Sequence, residues 1–298
     1  MTSSYCLFGN VMKDVILLGS YFTKHERNHV INRGLFASLT FEHGIHRTRR
    51  ARLRLVFSQL RAQTWQNVYV TDQSQPTLGA RLLAEGVGTA FLVAVVVGSG
   101  IMAQRLSPND AGLQLLENAA ATTGGLIALI LALGPVSGAH FNPIVSLVTR
   151  LFGGLTNREL ALYSIVQIVG GCVGAMIANI MFELDAVNWS TKDRSSGALW
   201  FSEMIATIGL VVVIFCIVRS GRASAVPYAV GVWIGGAYWF TSSTSFANPA
   251  VDFARSMSDT FAGIKPSSIP GFLIAQFVGG VIAFFLVKTL YPVAKEEN

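Results

Sequence analysis

Charge is scarce in this chain. Asp, Glu, Lys and Arg make up 13% of its 298 residues, against about 25% in soluble domains. A soluble enzyme needs a charged shell around its core, so this scarcity removes the default reading. Cysteine is scarcer still: Cys6, Cys172 and Cys216 stand alone, with no Cys-x-x-Cys or His partner spacing, and that excludes a disulfide framework or a metal-ligand set. No clustered nucleophile or phosphate loop accompanies them, so the expected catalytic residues, metal ions and cofactors are none. What the chain does have is apolar residues, 52% of the total, with a mean hydropathy of +0.51. They fall in repeated stretches of helical length, which places the chain in lipid.

The net charge of +6 is confined to residues 1–75, where ten Lys and Arg face only Asp14, Glu26, Glu42 and Asp72. The run Arg47, Arg49, Arg50, Arg52 and Arg54 precedes the first span and predicts a cytoplasmic N-terminus by the positive-inside rule. No zinc, aromatic or helix-turn-helix pattern joins this charge, so nucleic acid is not an expected partner. Short apolar fragments interrupted by Lys13, Asp14, Lys24 and Glu26 do not form a signal peptide, which leaves insertion to the first span. Residues 1–77 carry no sustained helical stripe or repeat. Three readings stay open for them: a regulatory or lipid-facing basic arm, a disordered tail, or an over-long gene model.

After Pro76 the pattern changes, and spans are predicted at about Arg81–Ala103, Ala119–Val136, Leu160–Phe182, Ala198–Arg219, Val226–Ser242 and Pro270–Tyr291. Each approaches the roughly 20 residues that cross about 30 Å of hydrocarbon. Two shorter segments, Phe141–Phe152 and Phe246–Met257, each carry an Asn-Pro near the start and read as re-entrant half-helices. Arg150, Arg158, Arg219 and Arg222 fall on the same predicted side as the basic arm. Six spans with both termini cytoplasmic follow. The expected fold class is an all-α membrane protein over residues 78–291, with a short tail at 292–298.

The membrane domain is an internal repeat, with halves at about 78–182 and 198–291. Glu85-x-x-x-Thr89 recurs as Glu203-x-x-x-Thr207, Asn142-Pro143 as Asn248-Pro249, and Gln167-x-x-Gly170-Gly171 as Gln276-x-x-Gly279-Gly280. Three spans per half is an odd number, so the second copy sits inverted and the half-helices enter from opposite faces. A Glu in mid-span costs about 2.5–3.5 kcal/mol on insertion scales. Glu85 and Glu203 are therefore expected to face inward and accept amides from the loops leading to each Asn-Pro. Proton carriage by these carboxylates is the sharper alternative, but no ionisable relay partner is visible. The Gly-Gly pairs read as close helix contacts.

Proline suits the first turn of a helix because its missing N–H would be unpaired there anyway, and Asn is a strong N-cap. Two half-helices abutting at mid-membrane would turn positive dipole ends toward a pore and raise the energy of any cation there. The Asn142 and Asn248 amides would donate to a neutral solute, and carbonyls of 137–141 and 243–247 would accept.

Ser137-Gly138-Ala139-His140-Phe141-Asn142-Pro143-Ile144 and Phe246-Ala247-Asn248-Pro249-Ala250 resemble the two signature loops of the aquaporin and glycerol-facilitator family. The resemblance spans about Leu78 to Tyr291 and implies an hourglass fold, passive transport and a homotetramer with one pore per subunit. Two departures stand out. Ile144 replaces the family's usual Ala, and Val251 occupies the place where an Arg commonly narrows the outer filter. Arg255 follows one helical turn later and is not bound to face the pore at that level. Counting from the Asn-Pro pairs as the family does gives the other filter positions as Thr122, Gly236 and Ser245.

Such a filter is expected to be wide and locally less hostile to cations. It admits larger neutral solutes, and the resemblance to metalloid-associated bacterial aquaglyceroporins adds arsenous acid to glycerol and urea. A packed Val251 with a neighbouring side chain narrowing the mouth, from among Tyr238, Trp239 and Phe240, is the competing reading. The expected partners are small neutral solutes and the lipid bilayer, and the expected location is the cell (inner) membrane. The alternatives are a strict water channel and a coupled transporter, which would need an ion site near mid-membrane.

Overall fold

The computed structural model describes residues 76–292. The basic arm, apart from Pro76 and Thr77, and the tail beyond Pro292 lie outside the described residues. Eight α-helices appear among those described: α1 (Leu78–Leu106), α2 (Ala111–Ser137), α3 (Pro143–Leu151), α4 (Asn157–Met181), α5 (Gly197–Arg219), α6 (Val226–Phe240), α7 (Pro249–Arg255) and α8 (Ile269–Leu290). Helices α1, α2, α4, α5 and α8 are long and apolar enough to cross a bilayer. The fifth predicted span, α6, has only 15 residues and is led in by a short 3-10 turn at Ala223–Ala225.

Polar residues set where the helices begin. Thr77, Asp110, Asn142, Thr156, Ser196 and Asn248 each cap a helix with a side-chain oxygen, occupying amides that have no partner inside the helix. Thr156 and Glu159 complete a reciprocal capping box. Helix α2 begins at Ala111, eight residues before the span predicted from hydropathy. Its first turns hide polar groups instead of exposing them: Gln114 Nε2 donates to the Ser107 carbonyl at 2.7 Å and Asn118 Nδ2 to the Val96 carbonyl at 2.9 Å.

Packing repeats the sequence symmetry. Helix α1 lies along α2 and α4, and α5 lies correspondingly along α6 and α8; α2 meets α6, and each half-helix packs on the last span of the opposite half. Close approach depends on the repeated glycines. A Cβ at Gly170 would lie 2.2 Å from the Gly86 carbonyl oxygen, and one at Gly279 would lie 2.7 Å from that of Met204. Only a bare Cα fits either crossing. The outer faces carry large apolar side chains such as Phe91, Ile165, Val232, Ile274 and Phe285, the surface a lipid-embedded bundle requires.

Candidate functional site

The half-helices α3 and α7 abut at their N-termini, where each asparagine does two jobs. Asn142 Oδ1 accepts from the Ile144 amide at 2.9 Å while its Nδ2 donates to the Ala247 carbonyl at 2.7 Å. Asn248 mirrors it, accepting from the Ala250 amide at 3.0 Å and donating to the Phe141 carbonyl at 2.8 Å. Each side-chain amide thus keeps a second N–H free of these bonds, and both asparagines line a cavity of about 580 Å³. Pro143 and Pro249 occupy the first helical turn after them.

Behind each loop sits a fully buried carboxylate. Glu85 accepts from the Ser137 hydroxyl at 2.6 Å, the His140 and Phe141 amides at 3.0 and 2.7 Å, and Gln167 Nε2 at 2.8 Å. Glu203 accepts from the Phe246 and Ala247 amides at 2.9 and 2.7 Å and from Gln276 Nε2 at 2.9 Å. These bonds hold a backbone that would otherwise relax. Ala139, Phe141, Ser245 and Ala247 have φ between 47° and 51°, the left-handed region that costs a non-glycine residue about 1–2 kcal/mol. In both copies residues one and three places before the Asn are strained, and Thr244 at φ 63° adds another in the second loop. The carbonyls of Gly138 to His140 and of Thr244 to Phe246 meet no protein donor among the described residues.

The cavity carries this polar stripe against an apolar wall that includes Leu92, Val96, Leu126, Ile130, Val230 and Ile234. Of the predicted filter residues, Thr122, Ser245 and Val251 all line it. Ser245 is 3% exposed, and its hydroxyl is buried without a partner. Gly236 is the exception: it is exposed and absent from the lining. Helix α6 turns Pro227, Val230, Ile234 and Tyr238 inward, and residue 236 falls about 200° around from 234 at 100° per residue, on the outer stripe with Val232 and Trp239. Tyr238 takes the inward place, its hydroxyl 3.2 Å from Thr122 Oγ1. The helical spacing of Pro227, Val230 and Ile234 carried that signal, whereas the count back from Asn248 assumed a loop of the usual length. Ile144 packs in the cluster with Val148 and Val211, and a Cβ at Gly280 would reach within 2.7 Å of its methyl.

Two arginines at the Thr122 and Tyr238 end complete the arrangement. Arg255 is 2% exposed, lines the cavity, donates through Nε to the Ala262 carbonyl, and places its guanidinium carbon 3.5 Å from the Phe246 ring centroid. Arg194 enters from the loop between α4 and α5, donating to the Gly263 and Ser243 carbonyls at 2.9 and 3.1 Å, with its guanidinium carbon 4.9 Å from the same ring centroid. Burial, then the neighbouring Arg255, lowers Arg194 to about 9, so it is still a cation at neutral pH. No group of three or more His, Cys, Asp or Glu able to hold a metal occurs among the described residues.

An inverted six-helix repeat closed by two Asn-capped half-helices around a polar-striped cavity defines a membrane channel, and the chain matches the family described as "MIP: Major intrinsic protein" over residues 73–286. The chain belongs to the major intrinsic protein family, whose members are channels and not enzymes. It is 50% identical over 218 residues to the aquaglyceroporin AqpS of Rhizobium meliloti (strain 1021), covering 73% of this chain and 93% of that one. The glycerol uptake facilitator protein of Pseudomonas aeruginosa is 29% identical over 254 residues, covering 75% and 87%. The solved aquaglyceroporin from Plasmodium falciparum shares the fold with a TM-score of 0.55 at 20% identity, covering 72% of this chain and 98% of that one.

Proposed function

We propose that the cavity is the pore of a passive channel for water and for small uncharged solutes of the glycerol type, with arsenous acid a further candidate. One observation carries this reading: the two asparagines and loop residues whose carbonyls meet no protein donor, Gly138 to His140 with Ser245 and Phe246, line a cavity whose remaining wall is largely apolar. A polyol presents hydroxyls on one edge and C–H on the other, and it exchanges its water for those groups while its carbon edge slides on the hydrophobic wall. The filter at the outer end consists of Thr122, Ser245 and Val251, with Tyr238 in place of Gly236. Val251, 5% exposed, packs in a cluster with Val93, Val97 and Phe246 and brings no charge to the cavity wall. The names of the relatives, an aquaglyceroporin and a glycerol uptake facilitator, agree with this cargo.

In the same reading the protein is a homotetramer with one pore per subunit in the cell (inner) membrane, both termini cytoplasmic. Stopped-flow light scattering on proteoliposomes tests the cargo. Vesicles holding the native chain are expected to admit glycerol and arsenous acid faster than empty ones. Val251→Arg is expected to slow glycerol by about tenfold, equivalent to about 1.4 kcal/mol of added barrier, and water by less. Equal rates for mutant and native channel across the solute panel would refute the filter assignment.

A further inference from the structure

We propose that Arg255 is the specificity-determining residue that excludes cations from this pore, supplying from one helical turn further along α7 the positive charge that position 251 lacks. The inference rests on the channel reading of the cavity. Its first support is direction. Helical side chains lean toward the N-terminus of their own helix, so a residue covers the surface above the preceding turn. Helix α7 has its N-terminus at the pore centre and Arg255 as its last residue. The guanidinium of Arg255 therefore leans back over the level of Val251, and both residues line the same cavity.

The second support is how the charge is held. The Arg255 guanidinium rests on the Phe246 ring, its carbon 3.5 Å from the centroid, and spends one donor, Nε, on the Ala262 carbonyl. No further acceptor for it is found among the described residues, which leaves its remaining donors for the cavity. Arg194, on the same ring, differs: it commits donors to two backbone carbonyls and does not line the cavity. Arg194 anchors its loop and adds a second positive charge behind the first.

The counter-charges lie off the cavity lining, behind the loop. Glu203 and Asp252 are both fully buried and neither lines the cavity. Both accept from Gln276 Nε2, at 2.9 and 3.2 Å, on the side of the loop away from the solute. A cation entering at Thr122 and Tyr238 meets the guanidinium first, in a narrow space where low-dielectric walls strengthen the repulsion. The same guanidinium donors offer hydrogen bonds to an uncharged solute. Absence of Arg at 251 therefore does not remove positive charge from the filter.

Proteoliposomes holding the full chain, with potassium flux and proton flux read by indicator dyes, test the assignment. Native vesicles are expected to be as cation-tight as empty ones. Arg255→Gln is expected to raise potassium and proton flux at least tenfold while still passing water and passing glycerol no more slowly than native. Arg255→Lys should remain tight, and the double variant Arg255→Gln/Val251→Arg should regain tightness, which a merely structural role for Arg255 would not produce. An Arg255→Gln channel that passes water yet stays cation-tight, or a double variant that still leaks, overturns the assignment. Should Arg255→Gln pass no water, Arg255→Met, which keeps an alkyl stem against the Phe246 ring, is read by the same criteria. Water flux separates the two proposals: native vesicles that pass water but not glycerol sink the solute reading and leave the Arg255 test intact.

Discussion

The loop before Asn142 and the loop before Asn248 solve one problem with nearly the same parts, and they part company only toward the ends of the pore. At the centre the match reaches single atoms: a cap on the second residue of each half-helix, an amide crossing to the other loop, left-handed residues one and three places before each Asn, and a buried Glu with a Gln beside it. One turn along the half-helices the match ends. Gln167 shares its amide between Glu85 and the hydroxyl of Ser146, at 2.8 and 3.1 Å. Gln276 shares its own between Glu203 and the carboxylate of Asp252. The first loop is lined by His140, tilted against Tyr163 with ring centroids 5.5 Å apart; the second is flanked by two arginines on Phe246. Shared scaffolding builds the pore, and the unshared residues decide what uses it.

Removing a scaffold carboxylate should have the largest effect, and an equal one in both halves. Glu85→Ala and Glu203→Ala each strand at least two loop amides and a Gln amide in the interior, a loss of about 3–5 kcal/mol. Both are expected to yield little monodisperse protein by size-exclusion chromatography in detergent. Unequal losses would break the symmetry. Exchanging the unshared residues should be asymmetric. Ser146→Asp puts a second carboxylate beside Glu85, while Arg150 on the same half-helix is engaged with Asn157 Oδ1 at 2.7 Å, and should cost about 2–3 kcal/mol. Asp252→Ser leaves Gln276 a hydroxyl acceptor and should cost about 1 kcal/mol or less. Thermal midpoints of the two purified variants decide between them.

Smaller effects grade the helix crossings. A methyl at Gly170 would stand 2.2 Å from a carbonyl oxygen and one at Gly279 would stand 2.7 Å away. Gly170→Ala should therefore lose more than Gly279→Ala, within the roughly 1–3 kcal/mol typical of overpacking. The smallest effect belongs to the outer loop. Lys192, whose ammonium donates to the Phe261 carbonyl at 2.9 Å, is lowered to about 8 by burial and then by Arg194 and Arg255. Its pKa is lower folded than unfolded, so between about pH 8 and the ordinary lysine value the unfolded chain binds more protons. Stability should rise slightly with pH across that window, and Lys192→Met should abolish the rise.

Much of the centre was legible because its signals are local and occur twice. Asn-Pro announces a capped half-helix, and a Glu in each first span marks a loop in need of an acceptor. The mouth was less legible, because its residues arrive by routes that counting does not follow. Gly236 was placed by distance from Asn248, but the face of α6 is set by its own period, which turns Tyr238 inward. Arg255 reaches the cavity by leaning back along its helix. Arg194 comes from the loop between α4 and α5, which pairs with the segment after α7 through the Asn188 and Ser190 amides, each 2.9 Å from a carbonyl there. The late start predicted for α2 has a related cause, since hydropathy cannot see that Gln114 and Asn118 are buried and bonded.

The crossed asparagine bonds also impose an order of events during synthesis. The Phe141 carbonyl waits for Asn248, and Asn142 waits for the Ala247 carbonyl, each partner more than a hundred residues away in the chain. The N-terminal half emerges first with its re-entrant loop incomplete, and completes it only when the second loop has entered from the other face. Neither loop has its full set of bonds until both halves are in place, so neither half alone can present a finished pore.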